Sequence, residues 1–332
     1  MAQMKYFYEL TISSSPHAHS PVTTQTIMRD VLIALVPALL GSIYFFGFRS
    51  LLVTLVSAAA CVFFEWGFCK VRKLHCKTYD LSAVVTGVLL AFVCPVTIPY
   101  WTIILGDFFA IVLVKMLFGG LGKNIVNPAL AGRAFLFSWP VLMSNWVKVG
   151  FDNAAGLLST ADAVTAATPM SAMHQGALPE ESILDMFLGN IGGCIGETSA
   201  LLLIIGFVYL LYRKVITARI PFAYIGTVAI LAFLFPQGND RIAWMAAQVF
   251  GGGLMLGAIF MATDYVTSPL TKLGQIVYGI GCGVITILIR YFGGYSEGVT
   301  YAILCMNACS VLLDKIGRPV KFGAPKKEAA KK

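Results

Sequence analysis

The stretch DAVTAATP, residues 162–169, holds the side chains best placed for covalent chemistry in this chain. Small alanines before Thr168 leave the backbone open, and the proline after it disfavours helical geometry at Thr168. We therefore expect an extended, accessible Thr168 whose hydroxyl is open to modification. The alternative is an ordinary surface loop in which Asp162 and Thr165 make local turn or capping hydrogen bonds.

The composition places this stretch in an integral membrane protein. Hydrophobic residues make up 58% of the 332 residues and charged residues only 12%, against about 25% charged in ordinary soluble domains. The first 30 residues lack a compact basic segment followed by a cleavage site, so we expect no signal peptide. The first apolar run should therefore direct insertion itself.

The apolar runs predict an all-α membrane protein of about ten transmembrane helices, each needing about 20 residues unless tilted or interrupted. The predicted spans are Thr26–Gly47, Leu51–Cys69, Leu81–Cys94, Trp101–Phe118, Pro128–Leu142, Thr198–Tyr212, Pro221–Phe235, Ile242–Ala262, Leu273–Phe292 and Val299–Leu313. Several are short or contain Gly and Pro, at Pro95, Pro99, 119–120 and 251–253. These positions predict discontinuous helices around an internal cavity.

The Lys and Arg residues predict the orientation, because cytoplasmic loops carry an excess of them. They cluster in one set of loops and in the tail, at Lys70, Arg72, Lys73, Lys77, Lys115, Lys123, Arg213, Lys214, Arg219 and from Lys315 to Lys332. Both termini are therefore predicted to be cytoplasmic. The predicted organisation is a cytoplasmic segment 1–25, a five-helix half 26–142, an outer-side segment 143–190, a second five-helix half 191–314 and a basic cytoplasmic tail 315–332.

An odd number of spans in each half makes any internal repeat inverted across the membrane. Phe118–Arg133, read FGGLGKNIVNPALAGR, is similar to Leu256–Lys272, read LGAIFMATDYVTSPLTK. Each has small residues, a polar turn and a proline before the next helix. The alternative is that Gly and Pro recur at helix ends of any polytopic protein, since small residues allow close packing and Pro suits a first turn.

Ionisable residues in or beside the apolar runs are candidates for ion coupling. Even on the lenient insertion scale, such a charge at the bilayer centre costs about 2.5 to 3.5 kcal/mol. Asp107 and Arg133 could instead neutralise one another, and Glu65 could simply reach the membrane interface. Glu197 and Asp264 lie at helix junctions beside Gly, Ser or Thr groups that suit a cation. The candidate ion-coupling residues are therefore Asp107, Glu197 and Asp264.

The sequence predicts neither a catalytic residue nor a metal site of its own. The eight cysteines show no CxxC spacing and are interpreted mainly as core residues. Cys305 and Cys309 share a helical face, but two thiolates do not complete a zinc or iron–sulfur site, so a cluster shared with a partner subunit stays an alternative. The run GGLGKN is not a Walker loop, because Leu117 replaces the first glycine and Asn124 the Ser/Thr.

Several longer motifs carry a family resemblance over nearly the whole chain. They are SPH at Ser15–His17, IMRDVLIALVPALL at Ile27–Leu40, FGGLGKNIVNPALAGRAFL at Phe118–Leu136, GGCIGETSALLLIIG at Gly192–Gly206 and FMATDYVTSP at Phe260–Pro269. With these motifs the chain resembles the NqrB/RnfD family, membrane subunits of ion-translocating electron-transport complexes such as Rnf.

The resemblance implies a covalent flavin at Thr168. The family's attachment signature is similar to D-x-x-[S/T]-G-A-T, which here reads Asp162, Thr165, Ala166, Ala167 and Thr168, with Ala166 in place of the usual glycine. In the family the last threonine is joined through a phosphoester to FMN by a flavin transferase that uses FAD. A covalent tether of this kind keeps a redox cofactor from escaping on the outer side.

The resemblance also implies a function and partners. The chain would relay electrons in a ferredoxin:NAD oxidoreductase of the bacterial inner membrane and couple them to outward Na⁺ or H⁺ movement. Expected partners are RnfA, RnfB, RnfC, RnfE and especially the outer-facing flavoprotein RnfG, besides the lipid bilayer and the flavin transferase, and no nucleic acid. A second, noncovalent flavin, riboflavin, is also implied, with no residue assigned to it.

Two other functions stay open at this stage. An NqrB-like subunit would deliver electrons to ubiquinone, but such chains have a longer extension before the first span than the roughly 25 residues here. A urea- or ammonium-type channel would share an inverted five-helix repeat without redox chemistry. The presence or absence of flavin at Thr168 separates the channel from the redox subunit.

Overall fold

The computed structural model describes residues 22–73, 78–143, 145–146, 168–179, 181–238, 240–295 and 297–317. All regular secondary structure in these ranges is helical, as predicted. The N-terminal part contains α1 (Thr24–Phe46), α2 (Phe48–Val71), a 3₁₀ turn (Thr78–Asp80), α3 (Ser82–Phe92), α4 (Tyr100–Phe108), a π-helix continuing α4 (Phe109–Met116), α5 (Pro128–Leu136) and α6 (Pro140–Met143). The C-terminal part contains α7 (Pro169–His174), α8 (Ile183–Leu188), α9 (Ala200–Tyr212), α10 (Arg219–Leu234), α11 (Arg241–Phe250), α12 (Leu254–Leu256), a second π-helix (Gly257–Met261), α13 (Lys272–Phe292) and α14 (Val299–Leu313).

Three of these helices, α1, α2 and α13, are long and apolar enough to cross a membrane. A fourth span results if α11 and the segment Leu254–Met261, which meet at a bend of 59°, are counted together. Shorter apolar helices are α3, α9, α10 and α14. The chain is thus a multi-pass membrane protein, while the ten-span count stays a prediction.

The predicted helix interruptions at proline and glycine are confirmed. Helix α3 ends at Phe92 and α4 begins at Tyr100, so Pro95 and Pro99 lie in the connection between them. Proline lacks an amide hydrogen and clashes with the preceding turn, which makes continuation of a helix costly. Residues 251–253, all glycine, separate α11 from α12, and Gly252 has a positive φ of 65° that glycine adopts without strain.

Some of the helices begin with a side-chain cap. Asn127 accepts hydrogen bonds from the Ala129 and Leu130 amides at the start of α5, and Pro128 occupies its first turn. Thr271 caps α13 through the Gly274 amide. These caps satisfy amides that have no partner inside the helix.

Close helix contacts use glycine, as is common where helices pack in a membrane. A Cβ on Gly206 of α9 would lie 2.3 Å from the Ala34 carbonyl oxygen of α1, and one on Gly279 of α13 would lie 2.7 Å from the Ala223 Cβ of α10. Helix α2 packs on α3, and α5 contacts α14. Because α1 packs on α9 and α5 on α14, the two parts of the chain form one core.

Both parts contain the same local order of elements. In each, a π-helix is followed by a polar connection and then by a new helix, α5 in the first part and α13 in the second. These two connections lie in the two similar sequence stretches. Asn127 Nδ2, in the first connection, donates to the carbonyl of Met261, in the second π-helix, at 3.2 Å. Wide π turns of this kind are frequent at functional sites.

Candidate functional site

Thr168 is the only residue of the predicted attachment signature within the described part of the chain; Asp162, Thr165, Ala166 and Ala167 lie outside it. Its backbone is extended, with φ −77° and ψ 151°, as Pro169 predicts, and its hydroxyl accepts the Ser171 amide at 3.3 Å as the N-cap of α7. The prediction of an accessible side chain is wrong, because Thr168 is 8% exposed. A local capping hydrogen bond, which the alternative interpretation expected of Asp162 and Thr165, is thus made by Thr168 itself.

Helix α7 packs against the break between α11 and α12. A Cβ on Gly251 would lie 3.1 Å from Met170 Sδ, and one on Gly252 would lie 3.0 Å from Met170 Cγ. A Cβ on Gly253 would lie 2.3 Å from Glu197 Oε1. The glycines therefore let the helix that follows Thr168 and the buried carboxylate of Glu197 approach the same short backbone segment.

Glu197 belongs to a buried ion cluster that we call the Arg133 cluster, formed by Arg133, Glu197 and Glu297. Arg133 Nη1 lies 3.0 Å from Glu197 Oε1, and Arg133 Nη2 pairs with Glu297 Oε2. Cys194 Sγ accepts from Arg133 at 3.6 Å. The prediction that Arg133 pairs with Asp107 is wrong. Its two guanidinium nitrogens that form ion pairs contact Glu197 and Glu297.

Cys194, Glu197 and Glu297 place three ligand-type atoms within 4.8 Å of one another. The guanidinium of Arg133 contacts all three residues. Arg133 therefore already supplies a positive charge to these three residues. The prediction that the chain has no metal site of its own stays a prediction.

Arg290 stabilises the break between α11 and α12 through hydrogen bonds to its backbone. Its guanidinium donates to the carbonyl oxygens of Gln248, Gly251 and Glu297, at 2.6, 3.4 and 3.1 Å, and to Gln248 Oε1 at 2.9 Å. A helix end leaves carbonyl groups without partners. Arg290 satisfies those at the end of α11 and also holds Glu297 near Arg133.

A second site surrounds Asp264, in the connection between the second π-helix and α13. Asp264 accepts hydrogen bonds from the Val266 amide at 3.4 Å and the Thr267 hydroxyl at 3.1 Å. Removal from bulk water raises the pKa of this carboxyl, and the two donors offset only part of that rise.

Asp264 lines a small cavity of about 80 Å³ between α1, α3 and the two polar connections. Its other polar lining residues include Ser82, Lys115, Asn124 and Asn127. The Asn124 side-chain oxygen is buried and has no hydrogen-bond partner among the described residues. A cavity of this size holds a few water molecules, and a buried orphan acceptor at its wall suits a small donor such as water.

Lys115 and Glu65 form a buried ion pair that the sequence analysis did not predict. Lys115 is 2% exposed and lies in the first π-helix, within the predicted span Trp101–Phe118. Its ammonium group lies 3.0 Å from Glu65 Oε1 and donates to Ser82 Oγ at 2.7 Å. Glu65 is therefore held by a buried partner, and its position at the membrane interface stays a prediction.

Asp107 lies on α4, apart from both sites. It is fully buried, and its Oδ1 lies 2.7 Å from Ser57 Oγ and 3.2 Å from Cys61 Sγ. The structure therefore separates the three predicted ion-coupling carboxylates into three environments. Glu197 faces Arg133, Asp264 faces the cavity, and Asp107 faces only neutral partners among the described residues.

The interpretation of the cysteines as core residues is confirmed for the buried ones, which are Cys61, Cys69, Cys94, Cys194 and Cys282. Cys305 is exposed and Cys309 half-buried on α14. A cluster shared through these two thiols with another subunit stays a prediction.

Sequence comparison identifies the family. A match to the NQR2, RnfD, RnfE family covers residues 11–323. The chain is 46% identical over 323 residues to the D subunit of the Na⁺-translocating ferredoxin:NAD⁺ oxidoreductase complex of Acetobacterium woodii, with 96% of each chain covered. It is 44% identical over 330 residues to the D subunit of the proton-translocating ferredoxin:NAD⁺ oxidoreductase complex of Clostridium ljungdahlii, covering 94% of this chain and 96% of the relative.

A more distant relative carries the same letter in its name. The D subunit of the ion-translocating oxidoreductase complex of Aeromonas salmonicida is 34% identical over 347 residues, covering 95% of this chain and 99% of the relative. The similarity therefore extends over both parts of the chain and both polar connections. With membrane helices, paired polar connections and matches of this length, the chain belongs to the NQR2, RnfD, RnfE family.

Proposed function

We propose that this chain is the D subunit of a membrane complex that passes electrons between reduced ferredoxin and NAD⁺ and couples them to ion translocation. The observation that carries the proposal is the 44–46% identity, over nearly the whole of each chain, to two D subunits of ferredoxin:NAD⁺ oxidoreductases. Those names favour NAD⁺ over the ubiquinone of an NqrB-like reductase. One relative is named for Na⁺ and the other for protons, so identity alone favours neither ion.

The proposed setting is the bacterial cell membrane, with both termini cytoplasmic and residues 143–190 on the outer side. The long apolar helices support membrane insertion, and the Lys and Arg distribution supports this orientation. The proposed architecture is ten spans in two inverted five-helix repeats, which the shared order of π-helix, polar connection and new helix supports. The proposed partners are RnfA, RnfB, RnfC, RnfE and RnfG, with RnfG nearest the outer segment.

Thr168 is the proposed attachment point of FMN through a phosphoester. Its hydroxyl accepts a hydrogen bond from the Ser171 amide. Esterification would replace the hydroxyl proton and leave the oxygen as an acceptor for this cap. Bound FMN would supply electron transfer in one-electron steps. In this proposal Thr168 anchors the group, and the Ser171 amide holds the Thr168 oxygen.

A denaturing gel tests the attachment. The wild-type chain coexpressed with flavin transferase is expected to give a fluorescent band, and Thr168→Ala to lose it. Thr271→Ala is the matched control, because it removes another N-cap threonine at a similar cost of about 1 kcal/mol. Fluorescence that persists in Thr168→Ala contradicts the anchor, and a wild-type complex without flavin favours the channel alternative.

A second, noncovalent flavin, riboflavin, is also part of the proposal, with no residue assigned to it. The cavity beside Asn124, at about 80 Å³, is too small for its ring system.

Acid extraction of the purified complex tests for the second flavin separately. Acid is expected to release a flavin from both the wild-type complex and Thr168→Ala, because this flavin is held without a covalent bond. A complex that releases no flavin contradicts the second cofactor and leaves the assignment of Thr168 untouched.

Glu197 and Asp264 are the proposed ion-coupling carboxylates. Glu197 has one oxygen on Arg133 and a second, Oε2, that is buried without a partner among the described residues, while Asp264 borders the cavity. Glu197→Gln and Asp264→Asn are expected to reduce Na⁺ or proton uptake into vesicles more than flavin loading. Glu181→Gln, outside both sites, is the control. Unchanged uptake removes the residue concerned from the proposal.

A further inference from the structure

Asp107 lies in a buried polar cluster that neither proposed ion site uses. We call it the Asp107 cluster: Ser57 and Cys61 of α2, Gly87 of α3 and Asp107 of α4. The three side chains are fully buried. Asp107 Oδ2 has no hydrogen-bond partner in the described ranges. A buried carboxylate needs either a cation or several donors to offset its loss of hydration.

The charged groups around Asp107 are already committed. On α2, Glu65 pairs with Lys115, which lies about two turns beyond Asp107 on the continuation of its own helix. On α5, Arg133 pairs with the two glutamates of its own cluster. Helix α3 contributes no titratable side chain, and the remaining neighbours are the neutral thiols of Cys61 and, after α3, Cys94. No cation of the described residues is therefore paired with Asp107.

A count of hydrogens decides the state of the carboxyl group. Ser57 Oγ lies 2.8 Å from the Gly87 carbonyl oxygen and 2.7 Å from Asp107 Oδ1, both hydrogen-bond distances. A serine hydroxyl has one hydrogen, and a backbone carbonyl only accepts. If Asp107 were ionised, both neighbours of the Ser57 hydroxyl would be acceptors. Its single hydrogen could serve only one of them, and the other contact would bring two oxygen lone pairs together.

One proton on Asp107 completes the set. Asp107 then donates from Oδ1 to Ser57 Oγ, and Ser57 donates its own hydrogen to the Gly87 carbonyl. The Cys61 thiol still donates to Asp107 Oδ1 at 3.2 Å. A single proton on Asp107 therefore satisfies the hydrogen bonds of Ser57 without any added cation.

We propose that the Asp107 cluster is a proton-binding site, in which Asp107 is a neutral carboxylic acid that donates through Ser57 to the Gly87 carbonyl. Glycine at position 87 makes this possible, because a Cβ there would lie 2.7 Å from the Ala58 backbone and push α3 away from α2. The inference rests on geometry and does not require the proposed redox function. It separates Asp107 from the cation-coupling role expected of it.

Infrared difference spectroscopy tests the proton directly. The spectrum of the wild-type complex minus that of Asp107→Asn is expected to show the C=O stretch of a protonated carboxyl group, shifted downward in D₂O. Bands of an ionised carboxylate in its place overturn the proposal. Ser57→Ala is the second variant: it removes the acceptor of the Asp107 hydrogen, so the same C=O band should move to higher frequency. An unmoved band also overturns it.

The Na⁺ dependence of activity tests whether Asp107 binds a cation. Asp107→Asn keeps a neutral group of the same shape, so the Na⁺ concentration for half-maximal activity should stay within about twofold of wild type. A rise of tenfold or more contradicts the proposal, because it would assign a cation to Asp107. If the complex shows no redox activity at all, the proposed function fails, whereas the infrared result still decides the state of Asp107.

Discussion

Arg133 and Glu197 form an ion pair of 3.0 Å across 64 residues of sequence, with side chains 1% and 3% exposed. The pair joins α5, in the N-terminal part of the chain, to the connection before α9. Glu297, just before α14, adds a third charge to the same guanidinium. The Arg133 cluster thus connects three elements that are distant in sequence.

Arg133→Met is expected to destabilise the chain by about 3–5 kcal/mol, because it leaves the buried Glu197 and the partly buried Glu297 without their cation. Thermal unfolding of the purified protein in detergent measures the loss. The double variant Arg133→Met with Glu197→Gln removes one of the orphaned charges and should recover part of the stability. If the single variant is as stable as wild type, the buried ion pair is not the stabilising contact described here.

Gly253→Ala is expected to displace Glu197 from Arg133. The added Cβ would lie 2.3 Å from Glu197 Oε1, while the backbone φ of −78° suits alanine, so the effect is steric only. Ion uptake should fall with a loss of about 1–3 kcal/mol in stability, as for an overpacked core. Gly226→Ala is the matched control, because nothing lies within 4 Å of its added Cβ. Equal uptake by the two variants would contradict the contact between Gly253 and Glu197.

Gly87→Ala is expected to separate α3 from α2. Its Cβ would lie 2.7 Å from the Ala58 Cα and 2.8 Å from the Ser57 carbonyl oxygen, both backbone atoms that do not rotate away. We expect a loss of roughly 1–3 kcal/mol or more, measured as a lower unfolding midpoint in detergent. The same substitution at Gly67 of α2 has open space around it and should be neutral or slightly stabilising.

Local signals in the sequence were sufficient for the helix breaks but not for the charge partners. Pro95, Pro99 and the glycines 251–253 act through their own backbones, so their effect is readable without a fold. The partner of Arg133 is different, because Asp107 is nearer in sequence while Glu197 and Glu297 are nearer in space. Only the tertiary fold, which brings α5 close to the connections before α9 and α14, decides between them.

The same limit explains what was missed in the candidate site. The buried pair of Lys115 and Glu65 was not predicted, because the two residues are distant in sequence and meet only where α2 packs against the first π-helix. Nothing local to Asn124 predicts that its side-chain oxygen is buried without a hydrogen-bond partner in the part of the chain that the structure describes. The extended backbone of Thr168 was predictable, because it depends on the neighbouring Pro169 alone.

Asp264 makes stability depend on pH. The pKa of this carboxyl is raised in the folded chain, because it is removed from bulk water, so folding favours its protonated form. Its contribution to stability is then fully present below the ordinary aspartate pKa and is lost as pH rises through the raised value. Asp264→Asn has no such titration. As pH rises from the ordinary aspartate pKa to the raised one, the unfolding midpoint of this variant should therefore increase relative to that of the wild type. Thermal unfolding of both proteins at a series of pH values measures the difference, and a constant gap between the two curves would show that Asp264 is not held in its protonated form by the fold.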